Sequence, residues 1–170
     1  MNIICGMPGA VQRRNRVSHN LLPLNVQTGT DTLGDTTGFA IRGNNTIISS
    51  SIDESYQGSK SLKCVTNNDA AYEGTYVSLS GLPTSTKYSC TLYVKGSGTC
   101  ILSLAEYTSV MGFVGETLSA PFNISSSWQK FSVNRTFGDT GVNGRFNIVT
   151  NSKQGVTFYV DALEIRRVIP

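Results

Sequence analysis

Trp128-Gln129-Lys130-Phe131-Ser132-Val133 follows the triplet Ser125-Ser126-Ser127 and alternates polar with apolar side chains. Period two puts Phe131 and Val133 on one face of a strand and Lys130 and Ser132 on the other. The same alternation recurs along the chain. Leu62 and Cys64 flank Lys63, Val77 and Leu79 alternate with Tyr76 and Ser78, and Phe146 and Ile148 flank Asn147. Working outward from these anchors, strands are predicted over 39–42, 46–52, 61–66, 74–79, 87–95, 99–106, 118–123, 129–137, 145–150 and 157–166, punctuated by Gly, Asn, Ser and Pro. No segment after residue 20 carries a sustained helical period. One apolar and one polar face per strand is what a two-sheet packing requires, so the expected class is all-β, an antiparallel β-sandwich.

Composition agrees. The 170 residues include 20 Ser, 18 Thr and 13 Asn, only 15% are charged, and 39% are hydrophobic, which argues against disorder, coiled coil and collagen. A chain of this length is one domain by prior, able to bury a core without staples. No apolar run approaches the ~18 residues that a membrane helix needs.

The net charge of +3 is unevenly placed. Residues 1–20 hold Arg13, Arg14 and Arg16 and no acid, while the remaining 11 basic residues balance all 11 acidic ones. The chain therefore divides into an extended arm, 1–19, and a formally neutral domain, 20–170. The arm is either a frayed terminus or a segment that orders on a partner, its arginines meeting carboxylates or phosphates. Three arginines beside a neutral body make a weak nucleic-acid footprint. Met1-Asn2-Ile3-Ile4-Cys5-Gly6-Met7-Pro8 has too short an apolar run and its arginines in the wrong order for a secretory leader, so cytoplasmic folding is expected.

Cys5, Cys64, Cys90 and Cys100 form no CxxC pair, and His19 is the single histidine, which does not support a zinc site. Reading 87–95 and 99–106 as a hairpin on Gly96-Ser97-Gly98 places Cys90 and Cys100 on one face about four residues apart, at ~3.3 Å per residue, beyond disulfide reach. Cys64 shares the phase of Leu62. Free, buried thiols are expected.

No nucleophile elbow, P-loop or dinucleotide fingerprint occurs, and a lone histidine in the arm gives no Ser-His-Asp order. Glu73, Glu106, Glu116 and Asp139 are formal candidates for a carboxylate pair, but scattered acids always permit one, and surface carboxylates are the simpler account. No enzymatic activity is expected. Outward aromatics carry more information. Tyr76 and Tyr93 point away from the core phase, and Tyr107 and Phe113 fall in the connection after 106. Rings beside Ser, Thr and Asn suit a sugar, whose C–H face they cover while hydroxyls and amides meet its OH groups; they also suit ordinary β composition. Trp128 reads as core or sandwich edge. Asp161 interrupts the apolar run 158–163 and needs either a metal or backbone N–H donors.

Five segments in order carry a resemblance to a known family. They are Asn20-Leu21-Leu22; Gly58-Ser59-Lys60-Ser61-Leu62-Lys63-Cys64-Val65; Leu82-Pro83-Thr84-Ser85-Thr86-Lys87-Tyr88-Ser89 with Leu92-Tyr93-Val94-Lys95; Trp128-Gln129-Lys130-Phe131; and Phe158-Tyr159-Val160-Asp161-Ala162-Leu163-Glu164-Ile165. Over residues 20–167 the chain resembles the jelly-roll carbohydrate-binding modules of the family four and nine type. The resemblance implies a glycan cleft on a concave sheet and a structural calcium using Asp161 and a carbonyl near Lys60. The family's aromatic-Glu pair after Asn-Leu is missing from Pro23-Leu24-Asn25-Val26. Similar modules occur in secreted polysaccharide-degrading enzymes and in bacteriophage virion proteins. The missing leader and the basic arm favour the second setting: a virion accessory protein, with capsid decoration ahead of a tail or fibre part, held to other virion proteins by Arg13, Arg14 and Arg16 and displaying a glycan-adhesive face. The alternative is a free-standing or enzyme-associated glycan binder. Deleting residues 1–19 is expected to leave the domain folded and to abolish virion incorporation; retained incorporation would remove the arm from that role.

Overall fold

The structure is a computed structural model and describes residues 19–169; the arm arginines Arg13, Arg14 and Arg16, and Cys5, lie outside the described residues. One helical turn, α1 (Leu24–Gln27), precedes eleven strands. These are β1 (Phe39–Arg42), β2 (Ile47–Ser51), β3 (Ser61–Val65), β4 (Gly74–Leu79), β5 (Lys87–Gly96), β6 (Thr99–Tyr107), β7 (Phe113–Leu118), β8 (Phe122–Asn123), β9 (Gln129–Thr136), β10 (Asn143–Thr150) and β11 (Thr157–Arg167). The first sheet runs β1-β4-β10-β6-β7, with β8 also on β6, and the second runs β2-β3-β11-β5-β9. Every pairing is antiparallel. The expected two-sheet sandwich is what forms.

Its core is the sum of the inward phases. Val77, Leu102, Leu104, Phe146 and Ile148 of the first sheet meet Leu62, Leu92, Val94, Phe158, Val160 and Ile165 of the second, all buried. Each such side chain contributes about 1.5–3 kcal/mol relative to exposure. Cys64, Cys90 and Cys100 are free and fully buried, behaving as small core residues.

Two local expectations need correction. The turn at 96–98 does not join a hairpin: β5 pairs with β11 and β9, while β6 pairs with β10, β7 and β8. The chain crosses between sheets there, so Cys90 and Cys100 lie on different sheets. Gly96 permits this crossing, since it has a positive φ and a Cβ on it would overlap the Thr157 carbonyl. The single strand expected over 118–123 is two, β7 and β8. β7 is an edge strand exposed or half-exposed throughout, so it lacks the burial alternation by which strands are read. α1 is too short to show a helical period.

Two acids fix the layers. Glu106 ends the inward phase of β6 with no exposure, and its Oε2 accepts from Arg135 Nε at 2.9 Å and Nη2 at 2.6 Å. Its Oε1 accepts from the Gly138 N–H at 2.7 Å. Because Arg135 lies on β9, this pair ties one sheet to the other. On β11 the pairing slips between Asp161 and Glu164, with Ala162 at φ 48°. Asp161 shares the outer face of Tyr93, where it is buried, and the bulge after it returns Leu163 and Ile165 to the core. Asn20 clamps this bulge, donating to the Leu163 carbonyl at 2.8 Å and accepting from the Ile165 N–H at 3.0 Å.

Glu106→Gln would leave Arg135 without its counter-ion in a largely buried setting and is expected to lower stability by on the order of 3 kcal/mol in urea unfolding. A loss within experimental error would show that the pair does not hold the sheets together.

Candidate functional site

The outward phase of the first sheet forms one continuous face. The pairing lines up Tyr76 of β4, Asn147 of β10 and Ser103 of β6 in one row, and Arg145, Ala105 and Glu116 in the next. A third row sets Tyr107 of β6 beside Phe113 of β7. Arg42 leans over from β1 at the opposite end. Together these side chains line a cleft of about 400 Å³, continuous through Arg42 and Glu116 with a smaller hollow of about 180 Å³ beside Tyr72 and Leu118.

The cleft floor is an ordered polar chain. Arg42 Nη1 donates to Asn147 Oδ1 at 3.2 Å, Asn147 Nδ2 donates to Ser103 Oγ at 3.1 Å, and Ser103 Oγ donates to Glu116 Oε2 at 2.7 Å. Asn147 and Ser103 are buried at 2% and 1% exposure, so burial fixes their orientations. Above the floor, the Arg145 guanidinium sits between the Tyr76 ring at 4.9 Å and the Tyr107 ring at 5.0 Å. Phe113, 63% exposed, meets Tyr107 edge-on at 5.8 Å and continues the aromatic wall toward solvent.

Of the four aromatics singled out from sequence, the structure brings Tyr76, Tyr107 and Phe113 into this cleft. Tyr93 points outward too, but from the second sheet. There it stacks on Tyr56 at 3.6 Å, with Trp128 edge-on to Tyr56 at 6.0 Å. Trp128 is thus half-buried packing on the outer face of that sheet. The formal carboxylates do not gather: Glu116 faces the cleft, Glu106 is held by Arg135, Glu73 is buried away from it and Asp139 is exposed. Arg42, Ser103, Arg145, Asn147 and Tyr72 were not singled out from the sequence. The outward phase of 145–150 was the available signal for Arg145 and Asn147, whereas Arg42 and Tyr72 needed the sheet order.

Asp161 does not fit a calcium ion. Its Oδ2 accepts from the Tyr56 and Gln57 N–H groups at 2.8 and 2.9 Å, and its Oδ1 from the Ala162 N–H at 2.6 Å. These three donors take three of the carboxylate's roughly four acceptor sites, and among the described residues no cluster of three His, Cys, Asp or Glu side chains could hold a metal. Burial raises its carboxyl above the usual range, opposed by those same N–H bonds. The other carboxylate that bears on it, Asp31, is itself engaged by Ser59.

No protein-family model and no curated protein matches the chain. Solved structures match its fold. The CBM22-1 xylan-binding domain from Paenibacillus barcinonensis Xyn10C is 19% identical, covering 81% of this chain and 90% of that one at a TM-score of 0.66. TmCBM61, solved in complex with beta-1,4-galactotriose, is 15% identical, covering 89% and 100% at 0.59. The enzymatically active domain of bacteriophage CBA120 tailspike protein 4 is 10% identical, covering 88% of this chain but 21% of that one at 0.69. The fold is therefore the jelly roll of carbohydrate-binding modules, shared here with families 22 and 61.

Asp161→Ala would leave three backbone N–H groups without their acceptor, and about 2 kcal/mol or more of stability should be lost on unfolding by denaturant. A chelator, by contrast, should leave the melting temperature unchanged. A chelator-induced drop would reverse the assignment of Asp161 to backbone N–H groups.

Proposed function

We propose that this protein binds carbohydrate in the cleft on the outer face of its first sheet. The observation that carries this reading is the cleft itself: ring surface from Tyr76, Tyr107 and Phe113 above an oriented floor of Arg42, Asn147, Ser103 and Glu116. A pyranose has one face rich in C–H bonds and a rim of hydroxyls. Aromatic surface covers the first, and fixed donors and acceptors meet the second. Fold likeness to xylan-binding and galactotriose-bound modules is in keeping with this use, although fold does not transfer function by itself. Binding without turnover suits the site, since its one carboxylate, Glu116, has no acidic partner among the lining residues.

As a second reading we place the module on a bacteriophage virion, anchored by residues 1–19 with the cleft displayed outward. The likeness to a tailspike domain supports a phage setting, and capsid decoration is the form of it that we favour. A free-standing or enzyme-associated binder uses the same cleft.

Affinity electrophoresis against neutral and acidic polysaccharides separates binding from scaffolding. Tyr107→Ala is expected to cost about tenfold in affinity, by loss of a stacking surface worth on the order of 1.5 kcal/mol. Tyr93→Ala, on the other sheet, should leave affinity unchanged. Equal losses in both variants would point away from the cleft.

A further inference from the structure

Arg145 is an anomaly within the cleft. A guanidinium carries five N–H donors, yet among the described residues this side chain makes no hydrogen bond and no ion pair. Its Nε is buried without a partner. Only the Tyr76 and Tyr107 rings lie against it, and these contacts take up none of its N–H donors. Arg42 is similar, with one N–H spent on Asn147 and no carboxylate within salt-bridge distance. Glu116, the one acid lining the cleft among the described residues, is engaged by Ser103 instead. Two positive charges against one negative leave the cleft at +1, inside a domain where residues 21–170 sum to zero. The four ion pairs of the described residues all lie elsewhere, at Lys63–Asp53, Lys95–Glu54, Arg135–Glu106 and Arg166–Glu164.

We infer that the cleft is built for an acidic glycan, with Arg145 and Arg42 taking the carboxylate of a uronic acid. This rests on the carbohydrate reading of the same cleft and names its substrate class. The two oxygens of a carboxylate are coplanar and match the in-plane fork of a guanidinium. Two rings already pin Arg145, so little side-chain freedom remains to be lost on binding. A neutral hydroxyl is also an acceptor, but a charge-assisted bond is roughly twice as strong, and a half-buried site screens it less than open water. The cation–π contacts are compatible with the complex, because they use the charge of the guanidinium and not its N–H donors.

The test compares oligogalacturonate, neutral galacto-oligosaccharide of equal length and a sulfated galactan by isothermal titration calorimetry on the full chain. Oligogalacturonate is expected to bind about tenfold tighter than the neutral oligomer at low salt, the difference between a charge-assisted and a neutral hydrogen bond. That advantage should shrink as salt is raised. Arg145→Met keeps the length and packing between the rings and should erase the advantage of the acidic oligomer over the neutral one; Arg42→Gln should reduce it if Arg145→Met fails to fold. Equal or tighter binding of the neutral oligomer would overturn the inference and leave the carbohydrate reading standing. Tightest binding of the sulfated polymer would overturn the carboxylate assignment in favour of sulfate. No binding to any of the three would overturn this inference, and an equally silent wider polysaccharide panel would bring down the carbohydrate reading with it.

Discussion

The pleat of β10 is the constraint on which the molecule turns. This strand sits between β4 and β6 at the centre of the first sheet, and its inward residues Phe146 and Ile148 are part of the core. Successive side chains of a strand point to opposite faces, so burying these two sends Arg145 and Asn147 outward into the middle of the cleft. A slip of one residue would exchange the two sets, placing a guanidinium in the core and a phenylalanine in the cleft. Cleft and core are thus two readings of one register, and the apolar energy that stabilises the sandwich also positions the polar groups of the site.

The same coupling explains what the sequence could and could not disclose. Alternation at 61–66, 74–79, 129–137 and 145–150 gave strand positions to within a few residues, and it showed Tyr76 and Tyr93 to be outward. It carries no information about which sheet a strand joins. Tyr76 and Tyr93 therefore looked equivalent, although one lines the cleft and the other packs on Tyr56 behind it. The Gly-Ser-Gly turn at 96–98 looked like a hairpin for the same reason: local chemistry permits a reversal of direction and does not say whether the next strand pairs or crosses over. β7 had no apolar phase to display, and with it went the position of Glu116. Arg42 and Tyr72 reach the cleft only through long-range sheet order, which no short window contains.

Two of the buried acids, Glu106 and Asp161, show how a small sandwich accommodates charge. Glu106 is neutralised by an arginine from the opposite sheet, whereas Asp161 is surrounded by backbone N–H groups that a bulge and a loop bring to it. The first arrangement joins layers; the second fixes a chain reversal, with Asn20 closing the far side. Both lie away from the cleft face, where Arg145 has no hydrogen-bond or ion-pair partner among the described residues. A domain whose acids and bases cancel in sum can in this way present one local positive site.

The three thiols sealed in the core carry a different consequence. Burial pushes the Cys100 thiol up to about 12 and moves Cys64 and Cys90 in the same direction, so the nucleophilic thiolate is nearly absent in the folded domain. Cys90 lies in the second sheet with Cys64, and Cys100 in the first, so all three become reactive only when the layers separate. An alkylating reagent would therefore act as a clock for whole-domain opening, blind to fraying at the edge strands or the cleft rim.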